Sequence, residues 1–499
     1  MCLESWEKDD YNEFMIKLKR RHFVQGIVAS VVLGAFYSWR KLWNKGGGEK
    51  ESHFASFERL SIIQGATSAT EAQISICFLK ALKLRISVMD SLGKLIVDSM
   101  SESTENFQFL EHTVPQGDYD FLTLRISQLS LQGRYTLIVK NDEGQELDRR
   151  SFKTLDVNKN EAVCALISCA HDRHMNIQER MWRAVENSKP DVLFLLGDNV
   201  YIDWHERLPP SGQVDEAHIW NRIIEIRNLF YLYKMPTLIP IFATWDDHDT
   251  GTNDSNKDTP LIKEAAKIFD VVFPRHEIHS LLEKTYGVGY HLKLFGLEIM
   301  MMDSHSFRSA KADPNQDNPK FTHWGIDQER KMERVLQDAK APVWIMNGNQ
   351  FFGGYRQSKE SYEWVHNSNF NNWFLKKIKE SAKPVLLTSG DIHYSEVQRI
   401  EPEVVGYPLY EITSSSIHSK TKYLTPPKVS KDGEKVELIE SNVGNRRLAA
   451  TGEFNFVVSE IKSGPDAIKV VATSRGRESA QYFSETFVVS KQNNHENSI

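Results

Sequence analysis

The stretch Asp191–Asp203, DVLFLLGDNVYID, constrains this chain more than any other. Val192 to Leu196 is an unbroken apolar run of the length of one strand, and such a run suits a strand buried on both faces. It stops at Gly197, and Asp198, Tyr201 and Asp203 follow at once. A buried strand that ends in Gly-Asp carries a carboxylate to the C-terminal edge of its sheet, which is where open α/β sheets hold their ligands. The bland alternative is a strand running into an ordinary Asp-Asn turn. What decides between them is what else the chain places at strand ends.

Beyond Asp156 the rhythm is of apolar strands alternating with amphipathic helices, the signature of an α/β layered core. Ala162–Ile167 runs into Ser168-Cys169-Ala170-His171-Asp172, and the helical spacing of Ile177–Asn187 follows. A cysteine at a strand end is most often a small buried hydrophobe, but polar residues follow Cys169, as they would a thiolate ligand. A helix is predicted over His218–Tyr233, stopped by Pro236, and then a strand over Thr237–Ala243 that ends Thr244-Trp245-Asp246-Asp247-His248-Asp249. Three carboxylates around one histidine repel one another in a partly buried place, and a cation among them relieves this. Two strand-like runs flank Gly296 and end at Asp303-Ser304-His305-Ser306-Phe307-Arg308. Trp324 to Ala339 is helical by spacing. The strands Pro342–Met346 and Pro384–Thr388 end in Asn347-Gly348-Asn349-Gln350 and Ser389-Gly390-Asp391-Ile392-His393. In an extended segment Asp391 and His393 point the same way.

The rest of the chain frames this core. At 499 residues it is long enough for two or three domains, and 40% hydrophobic content provides ample core. A net charge of −6 without a long basic run in its body gives no cause to expect a nucleic acid partner. The four cysteines are too few and scattered for a disulfide framework and are read as free thiols. Residues 1–53 read as an export signal or membrane anchor plus linker: Arg20-Arg21-His22-Phe23-Val24 resembles a twin-arginine signal, the apolar run over residues 23–38 is short for a membrane span, and Asn44–Ser52 is linker-like. Residues 54–155 carry short alternating strands, including Ala72–Phe78, Leu82–Met89, Leu122–Ile126 and Arg134–Lys140, as in a small antiparallel sandwich. Pro426–Gly444 reads as an inserted loop, and 492–499 as a polar tail.

Taken together, Ser168-Cys169, Gly197-Asp198-Asn199-Val200-Tyr201, Trp245-Asp246-Asp247-His248-Asp249, Asn349-Gln350 and Gly390-Asp391-Ile392-His393 resemble the motifs of the alkaline phosphatase D (PhoD-like) family of calcineurin-like metallophosphoesterases. The resemblance implies a four-layer α/β/β/α sandwich over 156–491, preceded by a small immunoglobulin- or fibronectin-like β-sandwich. It implies a site of two metal ions: Cys169, Asp198, Tyr201 and His393 around the first, with Asp198 as the bridge, and Asp247 and Asp391 on the second, with Asn349 as a further ligand and Asn347 or Gln350 as alternatives. A thiolate and a phenolate suit Fe(III), and hard oxygen ligands suit Ca²⁺. His248 is then the group that meets the phosphoryl oxygen or protonates the leaving group, oriented by Asp249, while Arg308 and Asn199 are substrate contacts.

The activity implied is hydrolysis of phosphate mono- or diesters by a metal-activated hydroxide, in an exported monomer that is periplasmic or extracellular. Alternatives are a phospholipase D-like phosphodiesterase and an inactive metal-containing surface binding protein. One departure is plain: where the family has an Asp-x-Arg-x-Tyr-Arg run, this chain has Asp303-Ser304-His305-Ser306-Phe307-Arg308. His171 is also unusual, and the roles of Asp203, His171 and His305 stay open.

Overall fold

The computed structural model describes residues 60–99, 106–209, 211–309, 322–352, 368–421, 437–438 and 445–491. The candidate signal or anchor within residues 1–53 and the tail 492–499 lie outside them, as does most of the loop 426–444. Among the described residues no helix is long and apolar enough to cross a membrane.

The front part is built of strands β1 (Ser61–Thr67), β2 (Ala72–Leu79), β3 (Arg85–Asp90), β4 (Leu95–Asp98), β5 (Phe107–His112), β6 (Tyr119–Ile126), β7 (Arg134–Lys140) and β8 (Glu146–Lys153). They pair in two antiparallel sheets, β1-β2-β6-β5 and β4-β3-β7-β8. Ile74, Ile76, Leu122 and Leu124 from one sheet share a core with Ile86, Val88, Leu137 and Val139 from the other, so alternate residues of each strand face inward as period-two patterning requires. β1 carries few polar outward positions because it is covered on both sides. Its Gln64, 0% exposed, donates to Lys153 O and Thr67 Oγ1.

Behind it lie two larger sheets. The first has the order β11-β10-β9-β21-β22-β23: Ile241–Thr244, Val192–Leu196, Glu161–Ile167, Phe456–Ser463, Ala467–Arg475 and Gln481–Ser490. β10 is parallel to both β9 and β11. Val192, Phe194 and Leu196 face the second sheet, while Leu193 and Leu195 face helices α1 (Met175–Asn187), α2 (Glu216–Leu229) and α3 (Ile262–Val272). The second sheet contains the parallel run β14 (Leu297–Met301), β15 (Val343–Met346), β16 (Val385–Ser389) and β18 (Leu409–Thr413), flanked by antiparallel strands. Helices α4 (Ile326–Asp338) and α5 (Ser368–Glu380) share its core through Met332, Leu336, Phe374 and Ile378. The layers are therefore α/β/β/α with a β-sandwich in front.

Local departures from the sequence reading have clear causes. The helix expected to reach Tyr233 ends at Leu229, because Phe230 is extended (φ −81°, ψ 138°) and a 3₁₀ turn follows. The strand expected from Thr237 begins only at Ile241, since Pro240 has no N–H for the ladder. The front sandwich is fixed to the layered core by Arg227 of α2. Fully buried, it donates to Ser61 O, Ser75 O and Ser61 Oγ. Cys77, Cys164 and Cys169 are free, buried thiols.

Candidate active site

The parallel strands of both sheets end at a common edge, where their loops are knitted together. Cys169 N–H donates to Gly197 O and Ala170 N–H to Asp198 O, joining the turns after β9 and β10. Gly390 N–H donates to Gly348 O, joining those after β15 and β16. Across the sheets, Ser168 Oγ donates to Ser414 O and Ser414 Oγ to Leu166 O. These close approaches need small residues. A Cβ on Gly197 (φ +108°) would lie 2.5 Å from Asp246 Cβ and 2.7 Å from its backbone nitrogen.

The side chains at these ends are held in an uncommon way. Cys169, Asp198, Asp391 and His393 all have left-handed backbones, with φ of 58°, 50°, 77° and 59°. Such a conformation costs a non-glycine residue of order 1–3 kcal/mol and persists where the surroundings over-determine it. It turns each side chain out of its strand direction.

Among the described residues two groups bring metal-ligand atoms within 4.8 Å of one another: Cys169, Asp198 and His393, and Asp198, Asp247 and His248. Asp198 is common to both. Its Oδ2 lies 3.6 Å from Cys169 Sγ and accepts a hydrogen bond from Tyr201 Oη at 3.0 Å, and Tyr201 Oη is also 3.0 Å from His393 Nε2. Its Oδ1 is buried with no hydrogen-bond partner, and so is Asn349 Oδ1. Buried acceptors without partners are costly, and the unpartnered Asp198 oxygen beside a thiol, a phenol and two imidazoles belongs to a donor set that fits metal ions.

The electrostatics agree with that fit. Burial pushes the Asp198 carboxyl well above the usual carboxylate range, with the charges of Asp247, Asp246 and Asp249 adding to it and His248 opposing. Burial likewise raises the Cys169 thiol and the Tyr201 phenol, and Asp198 raises both further. Three acidic protons crowded together are what positive charge would displace. Asp247 behaves differently. Burial works to raise it, but His248, His305 and the backbone N–H of Asp254 bring it down to about 2. Burial and the neighbouring charges of His248 and His171 lower His393 to about 3, leaving its imidazole neutral.

The sequence matches no family model and no curated protein. Among solved structures, that of PhoD superposes with a TM-score of 0.64 at 15% identity, over 88% of this chain and 92% of that one. The chain has a PhoD-like fold. Two further structures resemble only parts of it: the sensor domain of the anti-sigma factor RsgI4 in Pseudobacteroides cellulosolvens (TM-score 0.14, 16% identity, 19% of this chain and 89% of that one) and Astrotactin-2 (TM-score 0.17, 9% identity, 34% and 29%). At those scores neither bears on the site.

Within the PhoD-like frame several predicted residues fall elsewhere than expected. Asp249 is expected to orient His248, but Asp203 takes that position: its Oδ1 lies 2.7 Å from His248 Nδ1. Asp249 instead accepts from the backbone N–H groups of Val200 and Asp246 and from the Asn199 amide, binding the ends of β10 and β11 together. Burial raises Asp249 to about 7. Asn199, expected to touch substrate, is buried and spends its amide on Thr244 O and Asp249 Oδ2. Arg308 is 2% exposed and donates to Ser255 O, which places it behind the acidic turn.

Asp391 belongs to neither ligand group. Its charge raises the Cys169 thiol. Of the three amides after β15, Asn347 is occupied by Trp324 Nε1 and Asn349 O, and the Gln350 amide nitrogen by Glu396 and Thr413. Asn349 Oδ1 and Gln350 Oε1 are both buried without a partner. His305, left open by the sequence, bonds Asp246 Oδ1 at 2.6 Å in full burial, with its other nitrogen against Ser255. His305 thus supports the acidic turn from behind.

Proposed function

We propose that this protein is a two-metal phosphoesterase that hydrolyses phosphate mono- or diesters. The observation that carries the reading is Asp198: one fully buried carboxylate shared by two ligand groups, with one oxygen left without a protein partner and His248 beside it. Cys169, Tyr201, His393 and Asp198 would hold one ion, and Asp198, Asp247 and Asn349 the other, with Asp391 nearby. The softer first set suits Fe(III) and the harder second set Ca²⁺. Bound there, the ions would supply Lewis acidity and an activated water for attack at phosphorus.

The chain's own residues do the rest. Asp203 accepts the Nδ1 proton of His248, which fixes the ring and leaves Nε2 to give a proton to the departing oxygen. Burial opposes charge on that imidazole, but Asp247, Asp198 and Asp203 outweigh it and hold the ring protonated, as a general acid requires. Gly197, Asn199 and Asp249 keep the two strand ends in contact so that Asp198 and Asp247 stay adjacent. The front sandwich is read as a structural module over 54–155, and the protein as an exported monomer carrying its signal or anchor within residues 1–53.

Elemental analysis of purified protein, with a panel of mono- and diesters on the same preparation, tests the proposal. Two metals per chain and hydrolysis lost in Asp198→Asn and on chelation support it. A metal-loaded protein that cleaves none of the esters would sink it and leave the inert binding protein as the reading.

A further inference from the structure

Beside the residues given a role above stands a histidine without one. The His171 ring stacks on Tyr201 with centroids 4.1 Å apart and planes at 26°, and the His248 ring lies 4.2 Å from the same phenol at 30°. Two rings cannot share one face at that distance, so Tyr201 lies between the two imidazoles. His171 also meets the edge of Trp204 at 4.8 Å.

The ring is fixed in rotation as well as position. Its Nδ1 accepts the backbone N–H of Arg173 at 3.0 Å, capping the 3₁₀ turn Asp172–His174. Asp172, 3.6 Å from the same nitrogen, is taken by Arg222, which donates to both its oxygens at 3.0 Å and to Tyr201 O. An Nδ1 that accepts cannot carry the proton, so Nε2 carries it. Among the described residues Nε2–H has no partner, and the side chain keeps 15% of its surface. A donor locked in place by a backbone cap, a stacked phenol and a buried ion pair, with nothing to donate to, is preorganised for a ligand.

We propose that His171 is a substrate-binding residue whose Nε2–H donates to a non-bridging phosphoryl oxygen, on the opposite side of Tyr201 from His248. The inference deepens the phosphoesterase reading and rests on it for the identity of the ligand as a phosphoryl group. Its test therefore uses inorganic phosphate as the probe, because phosphate binding requires no turnover.

Calorimetric titration of the metal-loaded full chain with phosphate is compared for wild type, His171→Ala, His171→Phe and His171→Gln. His171→Phe keeps a ring to stack on Tyr201 but has no donor, and Gln places an amide N–H near the position of Nε2. The expected result is phosphate affinity about tenfold weaker in the Ala and Phe variants and largely restored in Gln, with metal content unchanged. In turnover, KM for a phosphomonoester rises by a similar factor, and kcat changes less. Unchanged affinity in His171→Phe, or loss of a metal ion from all three variants, overturns the inference. Hydrolysis absent from wild type while the affinity pattern holds would instead retire the phosphoesterase reading and leave His171 as a phosphate-binding residue.

Discussion

Replacing Asp203 by Asn tests whether the buried edge works as a proton-delivery site. Asp203 Oδ1 lies 2.7 Å from His248 Nδ1, and the two side chains are 15% and 20% exposed. A hydrogen bond between a carboxylate and an imidazolium is worth about 1.5–3 kcal/mol. Partial exposure places this one toward the lower end, and about 1.5–2 kcal/mol corresponds to a loss of roughly 10–30-fold. The loss should not be uniform. An alkyl phosphate leaves as a strongly basic alkoxide and needs the proton, whereas a 4-nitrophenyl phosphate leaves as a stable phenolate and does not. The assay is kcat/KM for both substrate types on wild type and Asp203→Asn at matched metal content. The alkyl ester should lose the full factor and the nitrophenyl ester only a few-fold. Equal losses on both, or a larger one on the nitrophenyl ester, would refute the assignment of His248 as leaving-group acid.

Other expectations follow from the scaffold. Gly197→Ala forces a Cβ against Asp246 at a φ of +108°, so thermal stability and metal content should both fall, by at least the 1–3 kcal/mol such strain costs; full retention of both would mean the strand ends can part. Arg227→Ala leaves Ser61 O and Ser75 O without their donor inside the joint between sandwich and core, and urea unfolding should show about 3–5 kcal/mol lost. Burial raises Glu411 to about 7 against its ordinary 4.5, although Ser389 and the N–H groups of Phe351 and Phe352 oppose this. The folded state then holds one extra proton between about pH 4.5 and 7, so stability falls as pH rises through that window, by up to about 3 kcal/mol. Glu411→Gln cannot lose that proton, and its unfolding profile should be flatter by that amount; parallel profiles would show that Glu411 is ionised throughout.

Much of the fold was legible because it follows from periodicity. The unbroken run Val192–Leu196 announced a strand covered on both faces, and its alternate residues do divide between the facing sheet and the helices. The candidate site was legible as a list of strand ends, since order along the chain identifies loops at the carboxyl edge of parallel strands. What spacing could not supply was how each loop turns. Asp249 adjoins His248 in the sequence, Asp203 meets it only in space, and both are carboxylates. The 3₁₀ turn after Asp246 sends Asp249 back to the N–H groups of Val200 and Asp246, and so leaves the imidazole to Asp203, 45 residues earlier. Asn199 was misread for the same reason. It sits beside Asp198, but its amide is drawn inward by a backbone carbonyl at the end of β11.

The left-handed residues carry this point further. Cys169, Asp198, Asp391 and His393 come from three different strands of two sheets, yet each departs from extended geometry in the same sense. Ordinary turn chemistry would place Gly or Asn at such positions, and a sequence reader sees a Cys, two Asp and a His with no sign of strain. Four strained residues at about 1–3 kcal/mol each are a substantial part of a domain's 5–15 kcal/mol of stability. Burial of Asp198 Oδ1 without a partner adds to that cost. A chain under selection for stability alone would shed these features one at a time, since each can be relieved by a single glycine or amide. Their coincidence at one edge, on the residues that converge around Asp198, is what a site held ready for cations requires. Metal loading should therefore raise thermal stability far more in wild type than in Asp198→Asn, and equal gains in the two would break the link between the strained edge and the ions.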